Sequence, residues 1–262
     1  MGAIWLLSLP DVLRAAGLKV VEYPGWELRA RSSGGYDDIV AVQVHHTASK
    51  TTPANDQAYI WENADSEPIG ACYLGRDGVW TVGCAGATNT SGSGGPLGAI
   101  PVDAANRYVI SIEAANDGVG EPWPFVQLDS YLRGVGALCT AYGLGTHHPD
   151  VHGHMEWTSR KVDPAGPSPW ATGANSWDMD LFRADIPHDD EEDGMLPIKV
   201  RFYGYANVFL YGHGGYSHLT QALDAHFAGL PLIVSEAHPQ GMKSALFQSG
   251  LSMADLVPTG ET

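Results

Sequence analysis

Two apolar runs dominate the hydrophobic pattern and predict the two central strands of the fold. Residues 39–46 read Ile-Val-Ala-Val-Gln-Val-His-His, and residues 108–116 read Tyr-Val-Ile-Ser-Ile-Glu-Ala-Ala-Asn. Short runs rich in valine and isoleucine are typical of strands buried on both faces, rather than of alternating strands with one wet face. The first strand is therefore predicted to end in two histidines, and the second to carry Glu113 into the interior.

Helical periodicity and turn signals predict the elements around these strands. Helices are predicted over residues 9–17, 54–64, 124–142 and 177–184. The third has apolar residues at steps of three and four, and Gly143 ends it. A short strand is predicted over residues 19–23. A hairpin is predicted where the apolar runs 71–74 and 79–82 flank an Asp-Gly pair.

Two polar segments are predicted to be loops. Residues 86–98 are rich in Ser, Thr and Gly, which predicts a mobile loop at the edge of a groove. Residues 147–163 combine several histidines with carboxylates and basic side chains. The second loop is therefore the place where ligand residues are expected.

The end of the chain is predicted to form a separate small unit. Five carboxylates in a row before Gly194 predict a solvated linker over residues 189–194, between a domain at 1–188 and a smaller one at 195–262. In the smaller domain the pattern predicts an α/β unit. Its strands are expected at 198–203, 207–211 and 231–235, and its helices at 217–227 and 242–248.

Composition narrows the possible partners and surroundings. The formal net charge of the 262 residues is −16, which disfavours binding to nucleic acid or to an anionic membrane. The three cysteines form no C-x-x-C pair, so free thiols are expected. The first ten residues lack the basic region of a signal peptide, and we expect the protein to stay in the cytoplasm in which it is made.

Three residues supply the ligand types of a catalytic zinc site. His45 ends the first central strand, where the backbone is rigid and solvent can still reach the ring. His154 and Asp163 lie together in the second polar loop, and Pro164 stiffens the chain directly after Asp163. Three such ligands leave a fourth position open for water. Glu113 needs a partner or a catalytic role, because an unpaired buried carboxylate lowers the stability of the fold by on the order of several kcal/mol.

Four ordered motifs resemble the zinc-dependent N-acetylmuramoyl-L-alanine amidases. They are Val-His-His-Thr-Ala at 44–48, Arg-Asp-Gly at 76–78, Ile-Glu at 112–113, and a His at 154 with Arg-Lys-Val-Asp-Pro at 160–164. The resemblance spans residues 20–185 and implies the type-2 amidase fold. This fold is an α/β class with a central mixed β-sheet flanked by helices, shared with peptidoglycan recognition proteins. The N-terminal piece and residues 120–123 look like endolysins of actinobacterial phages.

The resemblance also implies a role for each candidate residue. His45, His154 and Asp163 match the three zinc ligands of the family. Glu113 matches the carboxylate that takes a proton from water, and Lys161 matches the residue that stabilises the oxyanion. The substrate implied is bacterial peptidoglycan, cut at the amide between N-acetylmuramic acid and L-alanine. Such an endolysin would act on the cell wall after release from the host cytoplasm at lysis.

Three departures from the family pattern leave alternatives open. The spacing before Asp163 is one residue shorter than expected, so His152 is a rival ligand to His154. A catalytic tyrosine used by some members falls at about Gly70 here, which argues against a tyrosine base. The 86–98 loop lacks the histidine that members often carry there.

The motifs also bear on other possible functions. The His-x-Glu at 154–156 occurs in zinc deaminases, but no P-C-x-x-C follows. A module that binds peptidoglycan without cutting it, and a zinc peptidase acting within the stem peptide, both remain alternatives. Residues 195–262 are expected to bind the cell wall or to form homo-oligomers.

Overall fold

The computed structural model describes residues 3–63, 65, 68–172 and 176–187, together with the backbone of four strands between 198 and 235. The chain divides into two compact units, residues 1–190 and residues 191–262. The first unit contains all the candidate site residues.

A six-stranded mixed sheet forms the centre of the first unit, with the strand order β1-β4-β3-β5-β2-β6. Strands β3 and β4 are the antiparallel hairpin predicted around the Asp-Gly pair, and every other neighbouring pair is parallel. The strands are β1 Val20–Glu22, β2 Ala41–His46, β3 Cys72–Leu74, β4 Trp80–Val82, β5 Val109–Ala114 and β6 Val151–Gly153. A two-stranded ribbon, β7 Ala171–Thr172 and β8 Ser176–Trp177, follows.

Five helices accompany the sheet, in line with the predicted α/β class. They are α1 Leu9–Ala15, α2 Pro53–Glu62, α3 Phe125–Tyr142, α4 His154–Trp157 and α5 Met179–Ala184. Helix α3 ends at Gly143, which adopts the left-handed conformation (φ 67°) that a residue with a Cβ disfavours. Helices α3 and α5 share an aromatic cluster with the loop before α3 and the ribbon, made of Trp123, Tyr131, Trp170, Trp177 and Phe182. The predicted mixed sheet flanked by helices is confirmed.

The two central strands are buried on both faces, as predicted, but the two faces differ in chemistry. Val42 and Val44 of β2 and Ile110 and Ile112 of β5 belong to the main apolar core. The residues between them, on the opposite face, are polar and equally buried: Gln43, His45, Ser111 and Glu113. Alternation along each strand therefore persists, although neither face is wet.

The 86–98 segment covers part of this polar face. It forms no helix or strand, as expected, and Thr88, Thr90 and Ser91 are buried. The Thr88 hydroxyl lies 3.0 Å from the Ser111 hydroxyl of β5. The predicted loop is therefore present, and polar side chains of the sheet give its first hydroxyls buried partners.

The second polar loop also contains structure that the sequence pattern did not predict. Residues 151–153 form strand β6, which pairs with β2, and residues 154–157 form the helical turn α4. These elements are too short for a hydrophobic period to identify them. Their pairing with β2 brings residues 152–154 next to the end of the first central strand.

The second unit contains a four-stranded sheet with the order β11-β10-β9-β12. Its strands are β9 Ile198–Phe202, β10 Val208–Gly212, β11 Gly215–Leu219 and β12 Leu232–Ser235. The predicted strands near 198, 207 and 231 are present, whereas residues 217–219 belong to β11 and not to a helix. The rest of the predicted 217–227 helix, the 242–248 helix and the 189–194 linker lie outside the described residues.

Two further expectations concern cysteine and the membrane. Cys72, Cys84 and Cys139 are free and buried, as predicted. Burial raises the pKa of the Cys84 thiol to about 12, so this thiol stays protonated at neutral pH. Within the described part of the chain, no helix is both long enough and apolar enough to cross a membrane.

Candidate metal centre and catalytic residues

Three neighbouring strands present one row of polar side chains on the same face of the sheet. His45 of β2 is in register with Glu113 of β5, and Glu113 is in register with Tyr73 of β3. Residues in register on adjacent parallel strands point to the same side of a sheet. Strand pairing alone therefore brings the candidate ligand His45 beside the candidate base Glu113.

His45, His154 and Asp163 form a buried group that could hold a metal ion. One ligand atom from each lies within 4.8 Å of the others. The Nδ1 atom of His45 is 2.9 Å from Oδ2 of Asp163, and Nδ1 of His154 is 3.1 Å from the same oxygen. Two imidazole nitrogens and a carboxylate oxygen converging on one point are a donor set that zinc accepts. The three predicted ligands are thus brought together by β2, α4 and the segment after α4.

The electrostatic state of His45 suits a metal ligand. Burial lowers the pKa of His45 to about 4, although the nearby Asp163 carboxylate opposes this shift. The ring is therefore neutral at pH 7, and a neutral imidazole has a lone pair to give to a metal. Tyr131 of α3 fixes the backbone at this point, since its hydroxyl lies 3.0 Å from both the amide nitrogen and the carbonyl oxygen of His45.

Glu113 is the buried carboxylate next to this group, with 8% of its surface exposed. Burial raises its pKa well above the ordinary value, the negative charge of Asp163 raises it further, and the ammonium of Lys161 lowers it. A carboxylate with a raised pKa holds a proton more firmly than an ordinary one, which is a property of proton acceptors in catalysis. Glu113 is therefore a candidate for proton transfer at this site.

Lys161 lies in the exposed turn between α4 and Asp163. Among the described residues, no ion pair occupies its ammonium group, while its charge is close enough to affect Glu113. The ammonium group of Lys161 can therefore interact with a group that binds between Lys161 and Glu113.

The other histidines of the motifs lie elsewhere. His152, the rival ligand, is fully buried in β6 with Nδ1 3.0 Å from the carbonyl oxygen of Pro149, and it lies outside the ligand group. His46 points to the opposite side of the strand end, where its ring packs against Gly118; a Cβ at Gly118 would lie 1.9 Å from His46 Nε2. Gly118 also has a φ of 72°, so both the backbone conformation and the close contact with His46 favour glycine at this position.

Several residues that matter for the site were missed or misplaced by sequence reasoning. The register places Tyr73 beside Glu113, and a Cβ at Gly70 would lie 3.1 Å from Cγ of Glu113. Gly70 and Tyr73 therefore both lie beside Glu113, and sequence reasoning missed Tyr73. The hydroxyl of Tyr73 is 3.4 Å from a carboxylate oxygen of Asp56. Gln43 and Ser91 also contact the site. Only the alternation of apolar and polar residues over 42–45 could have indicated in advance that Gln43 lies on the same face as His45.

Comparison with known proteins places the chain in a family. A sequence model of the N-acetylmuramoyl-L-alanine amidase family matches residues 35–166, half of the chain. The chain therefore belongs to this family, and the match includes His45, Glu113, His154, Lys161 and Asp163. Membership supports peptidoglycan hydrolase activity. No curated protein is significantly similar to the chain.

Three solved structures are similar to the chain at low sequence identity. The endolysin N-acetylmuramoyl-L-alanine amidase LysCS from Clostridium intestinale is 19% identical, with a TM-score of 0.44, over 63% of this chain and 93% of its own. A selenomethionine derivative of AmpD is 20% identical, with a TM-score of 0.43, over 64% and 93%. The hydrolase AmiA of Staphylococcus aureus, in complex with its ligand, is 16% identical, with a TM-score of 0.42, over 67% and 87%.

Proposed function

We propose that the chain is a zinc-dependent N-acetylmuramoyl-L-alanine amidase that cuts peptidoglycan between N-acetylmuramic acid and L-alanine. The observation that carries the proposal is the buried convergence of His45, His154 and Asp163, with Glu113 beside it on the same face of the sheet. Family membership supplies the substrate class, because it concerns this amide bond.

Each of the site residues has a distinct task in this reaction. His45, His154 and Asp163 would hold the zinc ion, which when bound supplies a Lewis acid and lowers the pKa of water. Glu113 accepts the proton of the attacking water and delivers it to the leaving amine of L-alanine. Lys161 places its ammonium group where negative charge develops on the oxygen of the attacked carbonyl. Lys161 is exposed and Glu113 is buried, so substrate would reach the site from the side on which Lys161 lies.

The biological setting we propose is phage-induced lysis. An endolysin of this kind would act on the cell wall of an actinobacterial host after leaving its cytoplasm. The second unit would hold the enzyme on the wall, since a chain of net charge −16 gains no electrostatic attraction to an anionic surface. Formation of homo-oligomers through residues 195–262 is the competing role for that unit.

Mass spectrometry of digested peptidoglycan tests the proposed reaction directly. We expect new L-alanine amino termini on intact stem peptides, with the glycan strands uncut. New termini inside the stem would instead identify a zinc peptidase. Binding of peptidoglycan without any cleavage, by protein loaded with zinc, would identify a recognition module and contradict the proposal.

A further inference from the structure

Two buried residues next to the ligand group each contact one of its two histidines. Gln43 lies two residues before His45 on the same face of β2 and is fully buried. Ser91 belongs to the 86–98 segment and is 1% exposed. The hydroxyl of Ser91 donates to Oε1 of Gln43 over 2.6 Å, so the two residues form one unit, the Gln43–Ser91 pair.

The contact with His154 defines which of its ring nitrogens carries the proton. Nε2 of His154 is 3.0 Å from the backbone carbonyl oxygen of Ser91. A carbonyl oxygen can only accept a hydrogen bond, so Nε2 must be the donor. In the neutral ring Nδ1 then keeps its lone pair, and this is the atom that faces Asp163.

The contact with His45 has the same consequence. Nε2 of His45 is 3.1 Å from Oε1 of Gln43, the oxygen that also accepts the hydroxyl of Ser91. Nε2 therefore donates, and Nδ1 is left free toward Asp163. The amide nitrogen of Gln43 has no hydrogen-bond partner among the described residues. Gln43 thus serves this site as an acceptor.

We propose that Gln43 and Ser91 are positioning residues that fix both histidines as Nδ1 ligands of the metal. The inference rests on the proposed function, because it concerns the same metal centre. A ligand histidine whose second nitrogen is held by an acceptor is locked in ring orientation and tautomer, and loss of such a contact typically weakens metal binding by about 10–100-fold. The buried part of the 86–98 segment that carries Ser91 then belongs to the metal centre, although it supplies no ligand.

Zinc affinity of the full chain, measured by competition with a chelating dye, tests the proposal. Gln43→Met keeps the length of the side chain but removes the acceptor, and we expect a loss of affinity of about 10–100-fold. Gln43→Glu keeps an acceptor oxygen and replaces the unpartnered amide nitrogen by a second carboxylate oxygen, whose negative charge also favours a cation at the site, so its affinity should not fall below that of the wild type. The absorption bands of the cobalt-substituted protein should change in Gln43→Met and not in Gln43→Glu.

A variant of Ser91 tests the other residue of the Gln43–Ser91 pair. Ser91→Ala removes the hydroxyl but keeps the carbonyl oxygen that holds His154, so we expect a smaller loss of affinity. This loss should vanish when Gln43→Met is already present, since both changes act through the same acceptor. Ser111→Ala is the matched control, because Ser111 is fully buried on the same face but contacts neither histidine. It should leave zinc affinity unchanged.

The outcomes separate this inference from the proposed function. A wild-type chain that binds no zinc would overturn both. If the wild type binds zinc and Gln43→Met binds it equally well, only the positioning role is overturned. The same holds if Gln43→Glu loses as much affinity as Gln43→Met, because the acceptor would then not matter. Circular dichroism of each metal-free variant verifies that the chain has folded.

Discussion

His45 and Glu113 are direct neighbours on the parallel strands β2 and β5, and their side chains project from the same face of the sheet. The geometry of the site follows from this relationship. A candidate metal ligand and a candidate proton acceptor are held side by side by backbone hydrogen bonds, without any contribution from a mobile loop.

The first prediction concerns the proton acceptor. Glu113→Gln should retain zinc and the fold but lose about 10²–10⁴-fold in turnover of a soluble muropeptide, because the amide cannot accept the proton of water. Turnover and metal content should be measured on the same preparation. Glu27→Gln, a change on an exposed turn, is the control and should be fully active. Wild-type turnover in Glu113→Gln would move the base role to another residue, with Tyr73 the first to test.

The second prediction concerns stability of the metal-free protein as a function of pH. Burial raises the pKa of Glu113 well above its ordinary value of 4.5, so ionisation of this group opposes folding. The contribution of Glu113 to the unfolding free energy should fall as pH rises from 4.5 through the raised pKa. Glu113→Gln cannot ionise and escapes this loss. The difference in unfolding free energy between the two chains should therefore be constant below 4.5, grow as pH rises through the raised pKa, and level off above it. A difference independent of pH would contradict the assignment.

The third prediction separates the two candidate histidine ligands. His154→Ala should abolish stoichiometric zinc binding, because it removes one of the three converging donor atoms. His152→Asn should keep zinc, since the asparagine amide can replace the Nδ1 group that lies 3.0 Å from the Pro149 carbonyl. Metal analysis of the dialysed proteins gives the answer. The reverse result would make His152 the ligand.

The fourth prediction concerns the support of the ligand turn α4. Arg183 of α5 is 7% exposed and pairs with Glu156, whose carboxylate also accepts the amide of Gly153 directly before His154. Arg183→Met should lower the unfolding free energy by about 3–5 kcal/mol, because Glu156 loses its partner. The decrease in unfolding free energy should lie near the lower end of this range, since 23% of the Glu156 side chain is exposed.

Asp180→Asn is the matched control for this pair. It removes the other, 88% exposed partner of Arg183 and should leave stability almost unchanged, because solvent screens this pair. Denaturant titration of the metal-free proteins measures both variants. Equal losses in the two would show that the contact with Glu156 is not the stabilising one.

The fifth prediction concerns the second unit. Residues 1–188 include the whole six-stranded sheet and every candidate site residue, so this fragment should cleave soluble muropeptide as the full chain does. Only the full chain should sediment with purified actinobacterial cell walls. If both sediment equally, and only the full chain forms dimers in ultracentrifugation, the second unit is an oligomerisation domain.

Local pattern in the sequence determined much of the fold. The predicted positions of α1, α2, α3 and the β3–β4 hairpin agree with the structure, because long periodic segments and an Asp-Gly turn constrain the backbone through neighbouring residues. The ligand and catalytic candidates were predictable for a different reason. Their motifs resemble a family, and the residue types limit the possible chemistry.

The tertiary structure decided how these residues meet. Asp163 reaches His45 across 118 residues of sequence, and no local period encodes such a contact. Strand β6, whose three residues pair with β2, places His154 and not His152 in the group with His45 and Asp163. Burial of Thr88, Thr90 and Ser91 depended on the polar face of β2 and β5, where buried groups need hydrogen-bond partners. These outcomes follow from non-local pairing and desolvation, and the local sequence specifies neither.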